Sequence, residues 1–136
     1  RRRFYDRNPA YKKFADHMKA KAKEKGVFAG LDGRPLFPRS AHSAVNLWIQ
    51  NAAVTVAKRA TLTHFLFLEM NGIRHGIDFH LCAHVHDEWV VEGVDDYVAD
   101  VAELALEAIT ATGVAFDLKV ALDGETKIGT TWAETH

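Results

Sequence analysis

Val85-His86-Asp87-Glu88-Trp89-Val90-Val91 sets two adjacent carboxylates inside an otherwise apolar stretch. The surrounding residues, from His80 to Glu92, read as a β-hairpin with His86-Asp87 near its turn. Burying charge inside such a hairpin costs free energy unless a counter-charge is present. Hard divalent cations such as Mg²⁺ take carboxylate oxygens, often one or two from the protein with the rest from water or phosphate. A strand turn holds such carboxylates rigidly. His-Asp-Glu alone is short, and it reads equally as a structural turn. Strand alternation opens a further reading. His80, Cys82, His84, His86 and Glu88 fall on one face of a regular strand, and imidazole with thiolate makes a zinc set. A turn at Asp87 would break that alternation.

Outward from the hairpin, the pattern is mixed. Val94 to Thr112 is an amphipathic helix: Val98, Val101, Leu104, Ala105 and Ile109 point inward, while Asp96, Asp100, Glu103 and Glu107 face water. Val114 to Leu122 reads as a last strand, followed by a tail from Trp132 to His136. On the other side, Ser40 caps a long helix running to about Gly72. Val45, Trp48, Ile49, Ala52 and Val56 form its apolar stripe. His42, Asn46 and Gln50 form a polar stripe with the small residues Ala53 and Ala57 beside it. A solvated face would more usually carry Lys and Glu. Amides beside small residues suit close approach to another molecule's groove.

Further back, Phe28 to Phe37 reads as a hairpin with a two-residue type I′ turn at Asp32-Gly33. Pro35 and Pro38 mark an edge. Asn8-Pro9 opens a helix whose apolar residues are Tyr11, Phe14, Ala15 and Met18, and Gly26 stops it. Two hairpins, a late strand and three helices predict an α+β fold with an antiparallel sheet.

With 136 residues, the chain is one domain or a piece of one. It begins Arg1-Arg2-Arg3. The single cysteine, Cys82, excludes an internal disulfide and fits a reducing compartment. No apolar run approaches the ~20 residues that span a bilayer, so the expectation is a soluble, cytoplasmic protein without a membrane partner. Net charge is -1, but it is unevenly spread. Residues 1–74 carry 15 Lys and Arg against 5 Asp and Glu; residues 75–136 carry 2 against 13. A basic half can hold a polyanion while an acidic half holds cations.

Several of these motifs recur together in a known order. Gly30-Leu31-Asp32-Gly33-Arg34 precedes the helix with Asn46, Gln50 and Lys58; Val85-His86-Asp87-Glu88 follows, and Trp132 lies close to His136. The series resembles the C-terminal end of family A DNA polymerases, the DNA polymerase I-like enzymes. It is most similar to their phage branch, through Ser40-Ala41-His42-Ser43-Ala44-Val45-Asn46 and the tail from Leu122-Asp123 to His136. The resemblance runs from about Phe4 to His136.

It implies an antiparallel palm-type sheet with hairpins packed against long helices, residues 1–136 being the C-terminal part of the palm. It implies that Asp87 is a ligand of the catalytic Mg²⁺ ions, that Glu88 supports it, and that His86 lies near the primer end. Asn46 and Gln50 match residues facing the minor groove at the primer terminus. His42, Arg34 and Lys58 are further DNA contacts, although the bacterial branch typically has arginine at position 42. His136 matches a terminal histidine close to the active site. The implied partners are primer–template DNA and deoxynucleoside triphosphates. The family needs a second metal-binding aspartate and a fingers helix, and neither is present. The expectation is therefore one piece of an enzyme, inactive alone. The rest of the polymerase (fingers, thumb and remaining palm) would complete it, in the same polypeptide or a separate one. Two other readings stay open: a non-catalytic duplex DNA-binding palm remnant, and a zinc-dependent hydrolase using His80, Cys82, His84 and His86.

Overall fold

The computed structural model describes residues 2–135, and they form two units that divide between Thr55 and Val56. In the first, α1 (Arg2–Arg7) leads into α2 (Pro9–Lys25). The short α1 has no counterpart in the sequence pattern. Pro9 sits in the first turn of α2, where a missing N–H costs nothing, and Gly26 ends it in the left-handed conformation with φ 65. Asn8 holds the N-cap position without capping. Its side-chain amide instead donates back to the Phe4 carbonyl at 2.9 Å.

Strands β1 (Phe28–Ala29) and β2 (Pro35–Leu36) pair antiparallel. Their connection differs from the expected two-residue turn. A type I′ turn needs left-handed φ at both central residues, but only Gly33 has it, at φ 82. The Gly33 N–H donates to the Gly30 carbonyl at 3.1 Å, which makes Leu31 and Asp32 the central residues. Asp32 is held there by Arg34, whose Nε donates to its carboxylate at 2.7 Å.

Helix α3 (Ala44–Met70) begins four residues after Ser40. Ser40 and Ser43 hydrogen-bond each other's backbone and side chains, so Ser43 stands at the helix start and its carbonyl accepts from Leu47 N–H at 2.9 Å. The core of this unit joins Ala15 and Met18 of α2 to Phe28, Leu36, Ala44 and Val45, with Phe14 edge-on to Trp48 at 5.2 Å. Of the expected α3 stripe, Val45 is buried and Trp48 half-buried, while Ile49 is exposed.

In the second unit, β3 (Phe79–Val85) and β4 (Glu88–Gly93) form an antiparallel hairpin. Leu68, Ile73, Phe79 and Val101 make its core, against Phe65, Val91 and Leu104. Helix α4 (Val98–Ala115) starts four residues later than expected, but its inward and outward faces are as the periodicity predicts.

The predicted strand from Val114 to Leu122 is absent. Val114 and Ala115 complete α4 instead. Asp117 is left-handed at φ 49, Leu118 N–H donates to the Gly113 carbonyl at 3.1 Å, and Asp117 N–H donates to Val114. That is a Schellman stop, which satisfies the last helical carbonyls. Among the described residues the β3–β4 sheet has no third strand. The chain instead turns back along α4: Leu122 lies against Gly113, and Gly124 against Ile109. The tail carries one helical turn, α5 (Trp132–Thr135). The two two-stranded antiparallel sheets and the helices around them make the fold α+β.

Candidate functional site

The β3–β4 loop is as short as a hairpin allows. Val85 pairs with Glu88, leaving His86 and Asp87 as the two loop residues. His86 takes a left-handed φ of 55, a position where two-residue loops favour glycine. Non-glycine residues held there mark either a tight turn or a functional constraint. His86, Asp87 and Glu88 are all exposed, so no buried charge has to be compensated. Two residues with oxygen-donor side chains are therefore adjacent in the chain at the tip of the hairpin. Hard oxygen donors in that number fit a half-site for Mg²⁺.

The face-alternation behind the zinc reading fails. Leu81 opposes Val91 and Ala83 opposes Val90, so the register shifts between them and Cys82 is the extra residue of a bulge. His80 and His84 thus fall out of step, and Cys82 Sγ turns toward the His80 carbonyl. Among the described residues no three His, Cys, Asp or Glu side chains come together as a metal site.

Behind the loop lies a polar contact that the sequence did not announce. Trp89, the residue after Glu88, donates its indole N–H to Nδ1 of His64 at 3.1 Å. His64 is fully buried on α3, and its Nε2 lies 2.9 Å from the Val101 carbonyl oxygen of α4. Burial pushes the imidazole pKa below its ordinary value of 6.5, the Val101 carbonyl opposing that shift more weakly. His84 faces Trp89 in the hairpin register and stacks on it at 6.3 Å and 16°. A histidine between Thr63 and Phe65 in an apolar helix was the available signal.

In the first unit, His42 and Asn46 line a cavity of about 190 Å³ together with Tyr5, Tyr11 and Lys19. His42 sits in the turn before α3 rather than on the helix. Asn46 and Gln50 are exposed one helical turn apart, with Ala53 exposed beside them. Arg34 is not a free cation: its Nη2 lies 2.6 Å from the Asp32 carboxylate. The Arg34 hydrogen bond holds the Asp32 carboxyl below the usual carboxylate range. Lys58 is exposed on α3. His136 lies outside the described residues. No described helix is long and apolar enough to cross a membrane.

Comparison with known proteins points one way. The sequence model of "DNA polymerase family A" matches residues 1–134. The DNA-directed DNA polymerase of Enterobacteria phage T3 is 36% identical over 110 residues, 79% of this chain and 16% of that protein. DNA polymerase I of Aquifex aeolicus is 31% identical over 136 residues, 98% of this chain and 23% of that protein. The chain thus spans between a sixth and a quarter of the length of these relatives. Among solved structures, the POL domain of Pol1 from M. smegmatis, in complex with DNA primer-template and dNTP, matches with a TM-score of 0.68. That match has 18% identity and covers 80% of this chain and 21% of the other. At that identity it speaks for the fold.

Proposed function

The chain belongs to DNA polymerase family A, and from that premise we propose that it supplies the C-terminal part of a polymerase palm. Asp87 and Glu88 contribute one carboxylate pair to template-dependent nucleotidyl transfer at a primer 3′ end. The observation that carries the reading is the exposed carboxylate pair at the tip of a two-residue hairpin loop. The two side chains would hold Mg²⁺, which when bound stabilises charge on the attacking and leaving oxygens. A further aspartate from outside this chain would complete the site.

The chain's other residues bind and orient. Asn46 and Gln50 present exposed amides to the minor-groove acceptors shared by every base pair, which checks pair geometry without reading sequence. Lys58 and the basic first half contact phosphates. His86 stands beside the primer end. Primer–template DNA and deoxynucleoside triphosphates are the partners, together with the remaining polymerase portion. Arg34, already paired with Asp32, contributes less charge to DNA than its sequence position implies. A non-catalytic duplex-binding role is the second reading, favoured by the exposed amides of Asn46 and Gln50 one helical turn apart on α3.

Asp87→Asn in the full-length polymerase separates the two. Both residues suit turns, and the site is exposed, so stability should move by less than about 0.5 kcal/mol. Loss of the charge should slow single-turnover extension by on the order of 10³. Primer–template affinity should survive, and Glu88→Gln should be milder. Near-normal extension by Asp87→Asn would leave the duplex-binding role. Residues 1–136 alone should not extend a primer, because one carboxylate pair cannot hold both metals.

A further inference from the structure

We propose that His64 is a positioning residue for the Asp87–Glu88 loop, acting through the indole of Trp89. The inference rests on the reading of those carboxylates as Mg²⁺ ligands. His64 is fully buried, 25 residues before Trp89 and 37 before Val101 in sequence, and it links α3, β4 and α4. Both ring nitrogens are committed. Indole N–H is a donor only, so Nδ1 must accept and carry no hydrogen. Nε2 therefore carries it and donates to the Val101 carbonyl. The partners set one neutral tautomer, and burial favours that neutral ring.

The consequence falls on the loop. Trp89 follows Glu88 directly, and its ring is fixed twice, by the hydrogen bond to His64 and by the stacked ring of His84. Fixing the Trp89 ring fixes the first residues of β4 relative to α3 and α4, and with them the direction in which Glu88 and Asp87 project. A leucine or phenylalanine at position 64 could fill the same space but would hold the indole in no single orientation. Groups that orient metal ligands from behind typically matter nearly as much as the ligands themselves.

Three substitutions in the full-length polymerase test this, read by single-turnover extension as a function of Mg²⁺ concentration. Trp89→Phe keeps an aromatic ring and removes the donor. His64→Gln keeps a donor toward Val101 but removes the acceptor at the Nδ1 position. His64→Asn places an oxygen near that position and can still accept from the indole. Trp89→Phe and His64→Gln should each raise the half-saturating Mg²⁺ concentration about tenfold, with primer–template affinity unchanged. The double variant should be no worse than the poorer single, because both remove one interaction. His64→Asn should return most of the way to the parent. A purely structural role would lower stability without moving the Mg²⁺ dependence, and that outcome overturns the proposal. Should His64→Gln fail to fold, Trp89→Phe carries the test by itself. Asp87→Asn is run alongside. If it is inactive while Trp89→Phe has parental Mg²⁺ dependence, only the positioning role falls. If Asp87→Asn extends normally, the metal reading and this proposal fall together.

Discussion

Replacing His86 with glycine, and separately with valine, tests whether the loop at the carboxylates is held in a strained backbone conformation. His86 has φ 55 and is exposed, so neither change leaves a cavity. A non-glycine residue in the left-handed region costs about 1–2 kcal/mol, with histidine at the low end because it visits that region more often than most. Glycine relieves the strain but loses more chain entropy on folding, about 0.5–1 kcal/mol. The two terms nearly cancel, so His86→Gly should stay within about 0.5 kcal/mol of the parent. Valine is β-branched and poorly tolerated there, so His86→Val should lose about 1–2 kcal/mol more. Native-state hydrogen exchange at the β3 and β4 amides reads this locally in the full-length protein. Exchange should speed up about tenfold in His86→Val, since 1.4 kcal/mol is a factor of ten, and by no more than about twofold in His86→Gly. Equal acceleration in both would refute the argument from backbone conformation. Primer extension supplies the second arm. If the imidazole acts at the primer end, both variants lose rate. Full activity in His86→Gly would mean that only the loop, and not the side chain, is used.

Gln50→Ala should slow extension from correctly paired ends while leaving the unfolding midpoint nearly unchanged, because the side chain is exposed on α3; an unaltered rate in a rapid-quench assay would remove its minor-groove role. His64 gives a pH dependence with a definite sign. Its folded pKa lies below 6.5, so the unfolded chain takes up the proton first as pH falls. Its contribution is complete above 6.5 and is lost as pH drops through the folded value. Denaturant titrations from pH 7.5 to 5 should show that slope, and His64→Asn should flatten it. Leu68→Ala, at a fully buried position beside Ile73 and Phe79, should cost about 3 kcal/mol through lost burial and a residual cavity. A loss under about 1 kcal/mol, measured from the denaturant midpoint, would mean the core collapses around the gap.

Local chemistry carried much of this fold in the sequence. Pro9 and Gly26 bound α2, the 3.6-residue spacing of Val98, Val101, Leu104, Ala105 and Ile109 orients α4, and the short apolar runs around His86-Asp87 place the hairpin and its loop. Each depends on residues within a few positions of one another, which is the range over which backbone φ, capping and periodicity act. The carboxylate pair was legible for the same reason, since its neighbours define the turn it stands on. One local contact still escaped the pattern: the Asp32–Arg34 ion pair, two residues apart, occupies a predicted DNA contact. Tertiary structure decided what lies beyond that range. The Cys82 bulge becomes visible only from the opposing strand, where Val90 and Val91 fix the register. The Schellman stop sends residues 116–124 back along α4, where Gly113 leaves room for Leu122 and periodicity alone had drawn a strand. His64 and Trp89 meet because α3 and β4 pack together, 25 residues apart in the chain. No propensity or spacing encodes such a meeting; it follows from burial, which brings distant polar groups together and then requires them to find hydrogen-bond partners.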